Sequence, residues 1–278
     1  MYCALTVDLK DSRRYPPERR NELQSFLIEA AETLTGIFRP ALARELSFSG
    51  GDELQALFTG PEAAFLCLRL LRRVLFPIPL HAGLGVGEWT TVVPERSTFY
   101  QDGTAFHRAR AALEQAKRET DYTALLDTGG EGDARLNAVM NAAFLLAEQN
   151  TSRQNELALL LEYLYPILPR QEAFDLSPLW GLMRARAGLA LFAGEKGIGR
   201  QSVFAGKRPE SFAAPVMGLT SWSGMRRCYH DAHPYGAASA AAEAAGLTRQ
   251  AVDTALRASK VYAERALALT LRDGLAEL

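Results

Sequence analysis

Cysteine is scarce in this chain, with three residues, Cys3, Cys67 and Cys228, among 278. A set so scattered and odd in number argues against a disulfide framework and a zinc site, and it fits a reducing compartment. Excess charge of either sign is lacking too: 31 Lys and Arg stand against 32 Asp and Glu. A surface that binds nucleic acid must then be local. No apolar run approaches the ~20 residues that a spanning helix needs. The first stretch, "MYCALTVDLKDSRR", has neither the basic start nor the apolar core of a secretion signal. These absences lead to the expectation of a cytoplasmic protein with no membrane partner.

What is present is apolar residues in quantity, 48% of the chain, enough for a sizeable core. Residues 2–8, "YCALTVD", read as a buried strand ending on an acid. A helix follows from the Pro16-Pro17 pair, with Leu23, Phe26, Leu27 and Leu34 on one face. "ARELSFSG" and "ELQALF" read as two strands joined by a tight turn at Gly50 and Gly51. A helix "GPEAAFLCLRLLRRVLF" and a strand "IPLHAGLGVGEW" come next. Three glycines in that strand imply a close neighbour against its backbone. "DGTAFHRARAALEQAKRE" is a further helix and "YTALLDTG" a further strand. The first six elements give βαββαβ, so the fold class is α+β, with a ferredoxin-like palm domain over residues 1–128. That arrangement predicts strand 1 in the centre, beside the strand that enters the hairpin, with helices on one face. An all-α region is expected over 135–278.

The chemistry-bearing feature is the acidic hairpin "FSGGDELQALF" together with the acid at the end of strand 1. Asp8 and Asp52, brought together from neighbouring strands, would hold Mg²⁺ (or Mn²⁺), which takes one or two protein carboxylates and keeps other oxygens for substrate phosphates. Glu53 is a third acid. Gly50 and Gly51 leave room for a phosphate or base. The loop after strand 1 offers Lys10, Ser12, Arg13 and Arg14 to phosphates, with backbone N–H groups at a helix start. The bland alternative is that Asp8 caps a turn and Asp52 sits at an ordinary hairpin tip.

The stretches "TVDLKDS", "FSGGDELQALF", "LHAGLGVGE" and "DGTAFHRARAALEQA" resemble, in that order, signatures of SatD family proteins. More distantly they are similar to class III nucleotidyl cyclases and GGDEF-type diguanylate cyclases. The resemblance covers residues 1 to about 127, and the SatD likeness extends to the terminal helices. It implies a palm that binds a nucleoside triphosphate with Mg²⁺ between two subunits, hence a homodimer. In class III cyclases an asparagine, and an arginine four residues later, stabilise the transition state. The matching positions here are His107 and Ala111, with Arg108 and Arg110 nearby. His107 joins Asp8, Asp52 and Glu53 as a candidate catalytic group. Arg108 and Arg110 join the candidate phosphate ligands.

At the other end, "AASAAAEAAGLTRQAVDTALRASK" reads as two alanine-rich helical stretches broken at Gly246, a helix-turn-helix over about 237–260. Thr248, Arg249 and Gln250 open the second helix, where base-reading side chains lie; Arg257 and Lys260 are placed for phosphates. Duplex DNA is the partner this predicts, and a dimerisation hairpin is the alternative. Remaining candidates carry less. His81 reads as structural, Trp180 and Trp222 as core, and "YHDAHPYG" with His230, Asp231 and His233 as a loop. "GEKGIGRQS" lacks the ending of a phosphate loop. Two functional readings stay open: a Mg²⁺-dependent nucleotide enzyme coupled to a DNA-binding unit, or a transcription regulator whose palm only senses a nucleotide or dimerises.

Overall fold

A computed structural model describes residues 1–50, 53–94, 98–170, 174–192, 202–209 and 231–278. The N-terminal part runs β1 (Tyr2–Leu9), α1 (Pro17–Phe38), β2 (Leu42–Gly50), β3 (Glu53–Phe58), α2 (Pro61–Leu75), β4 (Leu80–Gly87), α3 (Thr104–Ala116) and β5 (Ala124–Asp127). Proline opens both α1 and α2, where its missing N–H leaves no bond unmade. The strands form one five-stranded sheet in the order β2-β3-β1-β4-β5. β1 pairs antiparallel with β3 and with β4, and β5 is parallel to β4.

This order corrects the expected neighbour of β1. The central strand lies beside β3, the strand leaving the hairpin, and not beside β2, the strand entering it. The reason is in the side chains. β3, "ELQALF", is buried along nearly its whole length and gains from a partner on each side. β2 carries Arg44 and Glu45, which suit an edge.

The two faces of the sheet are covered differently. Cys3, Leu5 and Val7 of β1, Ala56 and Phe58 of β3, and Ala82, Leu84 and Val86 of β4 belong to the main core, together with Leu27 and Leu34 of α1 and Phe65 of α2. On the opposite face Ala4 and Leu57 meet Ala105, Phe106 and Ala109 of α3. The close neighbour implied by the glycines of β4 is this helix. A Cβ at Gly83 would stand 2.0 Å from the Ala109 carbonyl oxygen, and one at Gly85 2.2 Å from that of Ala105. Helices therefore lie on both faces once α3 is counted.

The chain continues with α4 (Asp133–Glu148), α5 (Ser152–Leu164), α6 (Ser177–Ala187), α7 (Ala237–Ala245), α8 (Arg249–Ala258) and α9 (Val261–Leu275). α4 covers the free edge of β5. Asn137 accepts from the Leu126 N–H at 2.7 Å and donates to its carbonyl at 2.9 Å, and Asn141 donates to the Ala124 carbonyl at 2.7 Å. Two side-chain amides thus satisfy backbone groups that a further strand would otherwise take. α9 packs on α4 and on the outer side of α2.

That outer side of α2 is charged and buried. Arg69 donates to Glu162 of α5 at 2.8 and 2.9 Å and to Glu264 of α9 at 2.6 and 2.7 Å. Arg73 reaches Glu264 at 2.7 Å, and Arg265 is paired with Glu162. Burial raises a carboxyl pKa, but at Glu162 and Glu264 the arginine charges win and hold both below the ordinary carboxylate range.

Candidate functional site

The residues singled out by the hairpin argument converge on the α3 face. Asp8 and Glu53 are cross-strand partners in the β1–β3 ladder, and on its other side Asp8 is opposite His81. Thr6 and Gln55 continue the same row toward the middle of the sheet, joined by a 3.4 Å hydrogen bond. Gln55 is linked through its carbonyl to Thr98, which bonds Ser47 at 2.8 Å. A polar row on this face contrasts with the apolar row behind it.

α3 lays a charged stripe along this row. His107, Arg110, Glu114 and Lys117 are spaced by three, four and three residues, which places them on one helical face. Arg110 clamps Glu53 with two bonds of 2.6 and 2.7 Å. Lys117 stands 3.0 Å from the Asp8 carboxylate and 3.2 Å from Glu114. Partial burial works against the Lys117 charge, but the bonds to Asp8 and Glu114 carry its pKa above the usual lysine value. His107, largely exposed, lies 3.0 Å from Asp102, which also accepts the Gly103 N–H. His81 has its pKa lowered, first by burial and then by the Lys10 charge, against the pull of Asp8.

The other predicted ligands divide. Lys10 is exposed just beyond Asp8, and Ser12 is almost buried in the short helical turn that follows. Gly50 ends β2 opposite Glu53. Gly51 and Asp52 lie outside the described residues, as does the Arg13 side chain. Arg108 is drawn away from the stripe. It donates to the Val86 carbonyl at 2.6 Å and the Thr128 carbonyl at 2.7 Å, tying together the ends of β4 and β5. Gly129, at φ +75°, lies against its guanidinium. Those bonds give Arg108 a structural role.

The donor set at Asp8 and Glu53 is carboxylate oxygen, which suits a hard divalent ion. Among the described residues no group of three or more His, Cys, Asp or Glu is gathered closely enough to hold a metal by itself. Two protein carboxylates are enough for Mg²⁺. At present the cation positions on Asp8 and Glu53 are taken by Lys117 and Arg110. Mg²⁺ at Asp8 would replace an ammonium with an ion of the same sign, so the residues fit the ion once Lys117 swings aside.

At the C-terminal end, Gly246 closes α7 in the left-handed conformation, at φ +63°. Thr248 caps α8, its hydroxyl accepting the Ala251 N–H at 3.2 Å. Val252 and Leu256 point inward while Arg249 and Gln250 are exposed. Arg257 pairs with Asp253 at 2.8 Å. The chain breaks at Ser259 and Lys260, which separates α8 from α9. Lys260 is left-handed at φ +57°, exposed, and starts α9. His233 stacks on Tyr262 with ring centres 3.9 Å apart, and Trp180 is in the core, whereas His230, Trp222 and nearly all of "GEKGIGRQS" lie outside the described residues.

Sequence reasoning missed Lys117 and Glu114, which complete the stripe. The signal was available: both continue the spacing of His107 and Arg110. It also missed Arg69, Arg73, Glu162 and Glu264, whose partners lie up to 195 residues apart. Comparison with curated proteins and with solved structures finds no significant match. A family match covers residues 2–184; it ends inside α6 and so stops short of the α7–α8 pair. Spanning the sheet, the α3 stripe and the first three helices behind them, that match places the chain in the SatD family.

Proposed function

We propose that the α3 face of the sheet is a nucleotide-binding palm that takes a nucleoside triphosphate with Mg²⁺ (or Mn²⁺), and that α7 and α8 form a helix-turn-helix for duplex DNA, the protein acting as a homodimer. The observation that carries this reading is the register of Asp8 against Glu53, the residue that follows Asp52 in the chain. Arg110 and Lys117 stand over those acids and supply the positive charge that phosphate oxygens require. Bound at Asp8 and Asp52, Mg²⁺ would neutralise the triphosphate and lower the pKa of an attacking ribose hydroxyl. Arg110 would trade Glu53 for a phosphate oxygen, and His107 would hydrogen-bond the reacting phosphate.

A second reading is binding without turnover, in which nucleotide occupancy regulates the DNA-binding end. Two observations favour it. Asp8 and Glu53 are already ion-paired, and Ala111 puts a methyl group where class III cyclases carry an arginine. The test is equilibrium dialysis of the full chain with ATP and with GTP at millimolar Mg²⁺, followed by analysis of the nucleotide for pyrophosphate release. Mg²⁺-dependent binding that is lost in Asp8→Asn and in Asp52→Asn supports the palm. Pyrophosphate release then separates enzyme from sensor. No binding of either triphosphate sinks both.

A further inference from the structure

Behind the sheet lies a cavity of about 410 Å³, walled by α2, α4, the turn Phe76–Pro79 and the start of β4. It is rich in positive charge: Lys10, Arg69, Arg72 and Arg73 line it against the carboxylates of Glu148 and Glu264. Both carboxylates are already engaged, Glu148 by Arg72 and Glu264 by Arg69 and Arg73. The buried ion network beside it does not balance. Three guanidinium groups, Arg69, Arg73 and Arg265, share two carboxylates, Glu162 and Glu264. The surplus is concentrated on Arg73, whose side chain is 2% exposed. Its Nη2 binds Glu264, but among the described residues its Nε and Nη1 have no partner. Asn155, on the same wall, leaves its side-chain oxygen unpaired while its amide donates to the Arg73 carbonyl at 2.9 Å.

Two N–H groups of a buried guanidinium left without acceptors are costly, and an anion drawn into the adjoining cavity offsets the surplus charge. We propose that this cavity is a second ligand site for a small phosphate monoester, bordering the α3 face through Lys10 and His81. Four cations and two carboxylates leave room for a dianion, and a phosphate monoester carries about −1.5 to −2 at pH 7. Phe144, Ile78 and Pro79 give the wall an apolar part, which accepts an organic body behind the phosphate. Because α2, α4 and α9 all reach this region, occupancy would tighten the joint between the sheet and the C-terminal helices. This proposal does not depend on the palm binding a nucleotide.

The experiment is calorimetric titration of the full chain with inorganic phosphate and with phenyl phosphate, against sodium chloride of matched ionic strength. Saturable binding is expected, tighter for phenyl phosphate. Arg73→Gln should weaken it by about tenfold or more, the loss expected for hydrogen bonds to a charged group. Since Arg73→Gln can fail to fold, Ala147→Trp provides a second variant: it fills the cavity from a half-exposed position on α4 and should abolish phenyl phosphate binding with helical content unchanged. Arg110→Ala, on the α3 face, reads any phosphate binding there separately, and Arg19→Ala, exposed on α1, should leave the titration unaltered. The proposal is overturned by the absence of saturable binding above the chloride control, by unchanged binding in Ala147→Trp, or by loss of binding in Arg110→Ala alone, which would put the anion on the α3 face.

Discussion

Two sets of ion pairs face each other across the sheet of this protein. On the α3 side, Asp8–Lys117 and Glu53–Arg110 sit at the surface, with the Lys117 and Arg110 side chains 30% and 49% exposed. Behind α2, Arg69, Glu162 and Glu264 are almost wholly buried. The bonds are of similar length, but the consequences differ. Water can replace either partner of a surface pair at little cost, so such pairs contribute ~0–1 kcal/mol. The buried set has almost no surface open to solvent, and loss of one member strands another charge in a medium that solvates it poorly. The surface set is therefore suited to exchanging partners with a ligand, and the buried set to fixing how the C-terminal helices sit on the sheet.

The buried set is where the largest effect is expected. Glu264→Gln leaves Arg69 with one carboxylate and Arg73 with none, and should destabilise the chain by about 3–5 kcal/mol in urea unfolding. Acid sensitivity should follow. The folded pKa values of Glu162 and Glu264 lie below ordinary. Their contribution is then fully present above the unfolded value of about 4.3 and is lost as pH falls through the lower folded values. The acid limb of a stability–pH curve should therefore flatten in Glu264→Gln. A wild-type-like midpoint and acid limb in this variant would remove the distinction between the two sets.

Next in size is Gly85→Ala, which tests what holds α3, and with it the stripe, over the acids. A methyl group there collides with backbone, 2.2 Å from the Ala105 oxygen and from the Ala109 nitrogen. The helix has to lift, at a cost of about 1–3 kcal/mol. Lifting α3 also draws Arg110 from Glu53 and Lys117 from Asp8, so Mg²⁺-dependent nucleotide binding should weaken in the same variant. Unchanged stability would show that α3 is loosely seated.

Much of the sheet was legible in the sequence, because its signals are local. Alternating apolar residues, proline at two helix starts and the hairpin glycines mark nearly every element within a few residues. The glycines of β4 correctly announced a close neighbour; that it is α3 became clear only from the packing. The partner of β1 was misread because pairing depends on the burial of β3 against the charge of β2, a comparison between strands. On the candidate site, Asp8, Glu53 and Arg110 were found by motif and do come together. Arg108 was also chosen, yet its bonds go to backbone carbonyls, which no motif encodes. The buried network was invisible for another reason. In "LCLRLLRRVLF" the arginines look like a solvated helix face, and the arrival of α4, α5 and α9, the last nearly 200 residues later, covers them.

Lys117→Ala sharpens the surface side of the comparison. It should change stability by less than about 1 kcal/mol, because Lys117 is partly exposed. Its effect on cation binding should be larger and opposite in sign. Removing the ammonium frees the Asp8 carboxylate, so Mn²⁺ should bind more tightly, about tenfold if Lys117 and the metal compete for the same oxygen; the factor corresponds to ~1.4 kcal/mol. Paramagnetic line broadening by Mn²⁺ in the presence of a non-hydrolysable triphosphate gives the readout. A weaker or unchanged Mn²⁺ affinity would mean that Lys117 serves the nucleotide and does not hold the place of the metal.

The smallest expected effect on stability lies on α8, where a third kind of pair lies on the surface. Arg257 and Asp253 are four residues apart on an exposed helix face. Such a pair contributes about 0.3–0.5 kcal/mol, so Arg257→Ala should barely move the unfolding midpoint. If α8 lies in a DNA groove, the same change should weaken binding to every duplex alike and lower the salt slope by about 0.9, the share of one phosphate contact. Arg249→Ala differs. It lies exposed at the start of α8, the proposed base-reading end, so its loss should relax sequence choice by about 1–3 kcal/mol at one position and leave stability unchanged. Binding of the full chain to a duplex library at fixed salt, selected and sequenced, measures both. Equal enrichment profiles for wild type and Arg249→Ala would deny α8 a reading role, and no enrichment at all would make α7 and α8 a packing or dimerisation unit, with Arg257–Asp253 an ordinary surface contact.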